Sequence, residues 1–236
     1  MRNIAIIPAR CGSKGLKDKN IRPLNGVPLM AYTIRAALDS GKFDKVMVAT
    51  DSEEYAQIAR QWGAEVPFLR SAEVSTDTAS SWAVVEEVLD RYAAMGETFD
   101  TFALLQVTSP LRQGRHIVEA YEYMAQKDAN AVIAVYKMPM PLEKCRHMND
   151  DLCMDDWYQN DSTSKPRQMF KPAYHINGSI YICYTEAFAT QTSIMEKKCY
   201  AYLMNSLYST DVDELEDFQM AEAIIQYLPD FKNYFD

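Results

Sequence analysis

Short apolar runs alternate along this chain with stretches whose apolar residues recur at helical spacing. Residues 3–9 (Asn-Ile-Ala-Ile-Ile-Pro-Ala) are compact and apolar, the length of a buried strand. Residues 29–40 place apolar side chains at 30, 34, 37 and 38, a helical period, with Gly41 as the stop signal. Residues 45–50 repeat the strand pattern, 52–62 the helical one ended by Gly63, and 66–69 predict a third strand. Ser80 or Ser81 caps the next predicted helix, whose core face is Val84, Val85, Val88, Leu89 and Tyr92. Then come a strand over 102–107, a helix over 115–125 and a strand over 129–135. This alternation predicts an α/β fold, a Rossmann-like mostly parallel sheet with helices on both faces. Ligands in such sheets sit beyond the carboxyl ends of the strands, here the segments after Ala9, Ala49, Leu69 and Val107.

The alternation stops after Tyr136. Residues 137–171 are rich in Met, Pro and charge and have no clean period, which is improbable for a loop inside a compact domain. They are expected to form an excursion that packs on another subunit, within a single domain spanning 1–236. A strand over 175–184 and an acidic helix over about 213–227, stopped near Pro229, complete the pattern.

Composition narrows the function classes. Hydrophobic residues make up 48% of the 236 and charged residues 24%, so a folded domain is expected. No run approaches the roughly 20 apolar residues that span a bilayer. Pro8 and Arg10 interrupt the N-terminal apolar run, so a signal peptide is not predicted either. Five cysteines without framework spacing suit reduced thiols and a cytoplasmic setting. The net charge of −9 argues against non-specific nucleic-acid binding. Yet residues 1–22 hold six basic side chains against Asp18 alone, and residues 205–236 hold eight acids against Lys232 alone. A local cationic patch on an acidic protein suits a small anionic ligand.

That patch contains Arg10-Cys-Gly-Ser-Lys-Gly15, directly after the first strand. A Gly-containing turn there exposes backbone N–H groups able to cradle phosphate oxygens, and Arg10, Lys14 and Lys19 add positive charge. Neither GxxxxGK[ST] nor GxGxxG is present, and a solvated cationic loop is the plain alternative. Asp211 and Asp213, at i and i+2 of an extended segment, point to one side and suit a hard cation beside phosphates; a helix N-terminus is the alternative use of such acids. Cys145, His147 and Cys153 lack the paired spacing of a zinc site.

The run Ile6-Ile-Pro-Ala-Arg-Cys-Gly-Ser-Lys-Gly15, with Lys19-Asn20 and Pro28-Leu29, resembles the nucleotide-binding signature of the acylneuraminate cytidylyltransferases. These enzymes make CMP-sialic acid and its nine-carbon relatives. The resemblance continues in order through Val48-Ala-Thr-Asp51, Leu69-Arg70, Asp77-Thr-Ala-Ser-Ser81, Leu105-Gln-Val-Thr-Ser-Pro-Leu-Arg112, Pro166-Arg-Gln168, Asn177-Gly-Ser-Ile-Tyr181 and Asp211-Val-Asp213. It implies that Arg10, Gly12, Ser13, Lys19, Asn20, Arg70, Ser80 and Ser81 hold CTP. Gln106, Lys144, Arg167, Asn177 and Tyr181 would face the sugar acid. Asp211 and Asp213 would bind Mg²⁺, with Arg10, Lys19 and Asp211 at the chemistry. It also implies a homodimer. His175 stands where an arginine often precedes the Asn-Gly pair, and Lys144 is only the nearest counterpart of the family's sugar-contacting lysine. An eight-carbon 3-deoxy-manno-octulosonate activator, a legionaminate or pseudaminate enzyme, and a silent nucleotide-binding protein stay open as alternatives.

Overall fold

A computed structural model describes the chain except residues 13, 14, 77, 146, 149, 153, 156–164, 233 and 236, and the side chains of 147, 148, 154 and 155. Six strands form one sheet: β1 Asn3–Pro8, β2 Lys45–Ala49, β3 Thr101–Leu104, β4 Ala131–Lys137, β5 Tyr174–Tyr184 and β6 Cys199–Met204. Their order across the sheet is β6-β4-β5-β3-β1-β2. β5 alone runs against the other five. The helices are α1 Leu29–Asp39, α2 Glu53–Gln61, α3 Ser81–Ala94, α4 Gly114–Gln126, α5 Thr185–Thr190 and α6 Leu215–Tyr227.

Strand alternation distributes the core over two faces, because successive side chains of a strand point opposite ways. Ala5 and Ile7 of β1, Val46 and Val48 of β2, and Val132 and Ala134 of β4 pack with α1, α2, α4 and α6. Ile4, Ile6, Met47, Ala131 and Ile133 point the other way, onto α3 and α5. The predicted face of α3 is confirmed at Val84, Val85, Val88 and Tyr92, which are buried, while Leu89 packs at its margin. Ser80 caps that helix by accepting the Ala83 N–H, and Ser52 caps α2 in the same way from Tyr55.

Two expectations need correction. Residues 66–69 are not a strand: pairing beside β2 is confined to Glu65, and Pro67 brings no N–H to extend it. Residues 199–204, assigned no element from sequence, form the edge strand β6, parallel to β4. Residues 137–171 are partly ordered among the described residues, with single turns at Leu142–Lys144 and Arg167–Met169 and a small ladder pairing His147–Met148 with Met154–Asp155. Among the described residues no helix is long and apolar enough to cross a membrane.

Candidate active site

A cleft of about 620 Å³ opens at the carboxyl ends of β1 and β3. Its walls include Arg10, Gly15, Lys19, Asn20, Arg70, Ser81, Gln106, Thr108, Asp211, Asp213 and Glu214. This is where a parallel sheet carries its ligand, since the loops there leave the strands with free backbone polar groups.

The first wall is the loop after β1. Asn20, buried, donates from Nδ2 to the Arg10 carbonyl at 2.9 Å and closes the loop on itself. Asp51, just past β2, accepts the Cys11 N–H at 2.8 Å and the thiol at 3.3 Å. Asp18 turns the chain through a left-handed conformation into the Lys19–Ile21 turn and takes the Tyr55 hydroxyl at 3.2 Å. Lys19 thereby lies largely buried, its Nζ 2.8 Å from Asp213 Oδ1. Arg70 is buried too, its Nε without a hydrogen-bond partner among the described residues; desolvation lowers its pKa, opposed by the charges of Asp51 and Glu87.

The second wall is the segment 209–214. Val212 is fully buried and donates its N–H to the Thr108 carbonyl at 2.8 Å, which leaves the flanking Asp211 and Asp213 turned to the cleft. Asp217 accepts the N–H groups of Asp213 and Glu214 at 3.0 and 2.9 Å, fixing the entry to α6. Burial is the main cause that raises the Asp211 carboxyl above its usual range; a hydrogen bond from Thr108 and the charge of Lys19 oppose it, while Asp213 reinforces it. The walls touch at Gly15, where a Cβ would stand 3.0 Å from the Asp213 carbonyl oxygen, so a side chain there would press the loop off the acidic segment.

A family model described as cytidylyltransferase matches residues 4–227. The chain belongs to the cytidylyltransferase family. It is 40% identical over 220 residues to an N-acylneuraminate cytidylyltransferase of Streptococcus agalactiae, covering 92% of this chain; the chain spans only 52% of that relative's length. It is 35% identical over 232 residues to the CMP-N,N'-diacetyllegionaminic acid synthase of Legionella pneumophila, covering 96% of this chain and 97% of that one. A solved structure of CMP:2-keto-3-deoxy-manno-octonic acid synthetase complexed with CTP superposes with a TM-score of 0.68 at 15% identity, covering 97% and 100% of the two chains, a likeness of fold.

The cleft gathers about half of the site residues expected from sequence. Arg10, Lys19, Asn20, Arg70, Ser81, Gln106, Asp211 and Asp213 all line it. Gly12 is exposed on the loop, and Ser13 and Lys14 lie outside the described residues. Ser80 spends its hydroxyl on the α3 cap. Tyr181 stands edge-on to Trp82 at 5.5 Å, and its hydroxyl is raised by burial first and then by the Asp211 charge. Asn177 is buried away from the cleft lining. Lys144 and Arg167 lie elsewhere. Arg167 lines a second groove of about 430 Å³ with Lys137, Phe170 and Lys171. Lys144 sits over the Phe170 ring at 5.4 Å and donates to the Lys165 carbonyl. Of the cysteine and histidine set weighed for zinc, Cys153 and the His147 side chain lie outside the described residues.

Sequence reasoning missed Asp51, Thr108 and Asp217 as supports of the site. Each acts on a backbone group or on a neighbouring carboxylate, and residue type and spacing carry no signal for that.

Proposed function

We propose that this chain is a CTP-dependent cytidylyltransferase that converts a nine-carbon 2-keto sugar acid of the sialic type to its CMP-sugar, releasing pyrophosphate. The observation that carries the reading is the meeting of the cationic loop and the carboxylate pair in one cleft, joined by Lys19 and Asp213. The Streptococcus and Legionella relatives, named for N-acylneuraminate and N,N'-diacetyllegionaminate, support the substrate class. Sugar activation of this kind uses cytoplasmic CTP, and we place the protein in the cytoplasm.

Arg10, Gly12, Ser13, Lys19, Asn20, Arg70, Ser80 and Ser81 form the CTP side in this reading. Arg10 and Lys19 sit where negative charge grows as the anomeric hydroxyl attacks the α-phosphate in line. Cations held beside the reacting phosphate stabilise that growing charge. Gln106 and Tyr181 face the sugar acid.

The residues present fit a divalent cation such as Mg²⁺. Among the described residues no cluster of three or more His, Cys, Asp or Glu is placed for a metal. The protein would therefore offer Asp211 and Asp213, with phosphate and water oxygens completing the shell, the usual pattern for Mg²⁺. Asp211 supports this fit, because a carboxylate raised first by desolvation and further by the Asp213 charge gains from added positive charge. Such a cation would offset charge on the reacting phosphate and on the departing pyrophosphate.

Lys144 and Arg167 serve a second copy of the chain in this reading: the excursion 137–171 reaches a neighbouring subunit in a homodimer, where a guanidinium pairs with the sugar carboxylate.

The test is incubation with Mg²⁺, CTP and separate sugar acids, following pyrophosphate. Release with N-acetylneuraminate, legionaminate or pseudaminate is expected, and release with the eight-carbon acid alone would overturn the substrate class. No release with any acid would leave the silent nucleotide-binding reading standing. Asp211→Ala should lower kcat by about a thousandfold or more while circular dichroism stays native. Wild-type-like turnover in that variant removes the metal assignment.

A further inference from the structure

The middle of β5 breaks its ladder beside the cleft. On β4, Ile133 faces Tyr181 and Val135 faces Ile176, so two steps along β4 are matched by five along β5. The surplus falls on Asn177-Gly-Ser179, with Gly178 at φ 70°. Bulges of this kind re-aim side chains next to functional sites.

Here the aim is inward. Asn177 is only 3% exposed and both ends of its amide are used inside the protein. Its Oδ1 accepts the Ser179 N–H at 3.1 Å, which fixes the amide orientation, because a backbone N–H can only donate. Its Nδ2 then donates to Ser209 Oγ at 2.9 Å, with Met204 Sδ at 3.4 Å. Ser209 Oγ in turn donates to the Asn205 carbonyl at 3.0 Å. On its other side the bulge is held by the loop after β3. Ser109 Oγ donates to the Asn177 carbonyl at 3.3 Å, and Arg112 Nη1 donates to the Ser179 carbonyl at 2.6 Å and the Gln106 carbonyl at 3.2 Å. Gly178 also makes room for Gln106, whose Oε1 would lie 2.2 Å from a Cβ at that position.

We propose that Asn177 is a positioning residue that clamps the segment bearing Asp211 and Asp213 against the Gln106–Thr108 loop, and that it does not touch the sugar acid. The clamp rests on the proposed function insofar as that reading gives Asp211 and Asp213 their cation. Ser209 lies two residues before Asp211, and the next tether, from Val212 to Thr108, returns to the same loop. Loss of the Asn177–Ser209 bond would loosen one end of the acidic pair and leave Gln106 and Tyr181 in place.

The test uses Mn²⁺ as an EPR-visible probe with CTP and no sugar acid, on the full chain and on Asn177→Ala, Ser209→Ala and the double variant. Each single change should weaken Mn²⁺ binding by about fivefold to tenfold, the range of one neutral hydrogen bond. The double variant should lose less than the sum of the two singles, since both remove the Asn177–Ser209 bond. In turnover, kcat should fall while KM for the sugar acid stays within about twofold. Unchanged Mn²⁺ affinity with a raised sugar KM would make Asn177 a sugar ligand and overturn the proposal, as would strictly additive losses. Ser209→Ala guards against a folding defect at Asn177, because it removes one hydroxyl and leaves the bulge intact. Wild-type protein that binds Mn²⁺ and CTP but releases no pyrophosphate with any acid counts against the proposed function alone. Wild-type protein that binds no Mn²⁺ with CTP counts against the clamp.

Discussion

The two walls of the cleft are built by opposite means. The loop after β1 is pinned at three points by side chains: Asp51 at Cys11 and Tyr55 at Asp18 from neighbouring elements, and the loop's own Asn20 at Arg10. The wall carrying Asp211 rests on a buried frame of the bulge in β5, Arg112, Ser209 and α4. A phosphate cradle gains from a backbone that adjusts as the ligand enters, whereas a carboxylate pair that holds a cation gains from being fixed beforehand. The difference makes stability and adaptability separable by mutation, and the frame should yield the larger losses.

Arg112 tests this most severely. It is fully buried, its Nη1 donates to the carbonyls of Gln106 and Ser179, and its Nε and Nη2 have no hydrogen-bond partner among the described residues. Burial pushes its pKa down to about 9. Arg112→Ala empties a large volume and strips acceptors of their donor, so a loss of about 3–5 kcal/mol is expected in urea unfolding. Arg112→Met refills the volume without a buried charge and should cost clearly less than the alanine. Equal losses in the two would show that the hydrogen bonds, not the filled space, carry the frame.

His116 gives the frame a pH signature. Its Nδ1 accepts the Gln113 N–H at 3.1 Å at the start of α4, and its ring stands edge-on to Tyr208, just ahead of Ser209. Burial lowers its pKa from 6.5 to about 4; the charges of Arg115 and Arg112 add to the shift, and those of Glu119 and Asp230 oppose it. Between those two values the unfolded chain binds the extra proton, so stability from this group is full above about pH 6.5 and falls as the pH drops toward 4. The limiting loss is about 3 kcal/mol at 1.36 kcal/mol per unit. His116→Gln should flatten that part of the Tm-against-pH curve, and an unchanged slope would show the titration lies elsewhere.

The legible parts of the molecule are those where one residue's chemistry decides its own place. The apolar run at Ile4–Ile7, the caps at Ser52 and Ser80 and the spacing of α3 report themselves through period and residue type. The acidic pair at 211 and 213 does so as well, because extended backbone sends i and i+2 the same way. What escaped depends on partners far along the chain. β6 has exposed Tyr200 and Leu203 and is a strand only because β4 lies beside it. The surplus residues in β5 have no local mark except Gly178. The resemblance implies Asn177 at the sugar acid, and no local pattern signals that its amide is held between Ser179 and Ser209. Within one chain Arg167 lines a different groove from Gln106, and Lys144 sits over the Phe170 ring of that groove.

The adaptable wall should respond to mutation in reactivity more than in stability, and Cys11 reports on it. The thiol is exposed, yet its pKa is raised, first by its hydrogen bond to Asp51, then by burial and by the Asp51 charge, with a smaller push from Asp18. A raised thiol holds less thiolate at neutral pH, so Cys11 should alkylate more slowly than an unhindered cysteine. Asp51→Asn keeps an oxygen for the Cys11 N–H and removes the charge. Alkylation at Cys11, followed by mass spectrometry of its peptide at pH 8, should speed up severalfold. Unfolding stability should shift by less than about 1 kcal/mol, the scale of one exposed hydrogen bond. If the proposed function holds, CTP should slow the reaction in both forms, because its phosphates would lie against the loop that bears the thiol. A rate unmoved by Asp51→Asn would mean that Asp51 holds the loop through the Cys11 backbone alone, and the two walls would then differ in exposure but not in how charge tunes them.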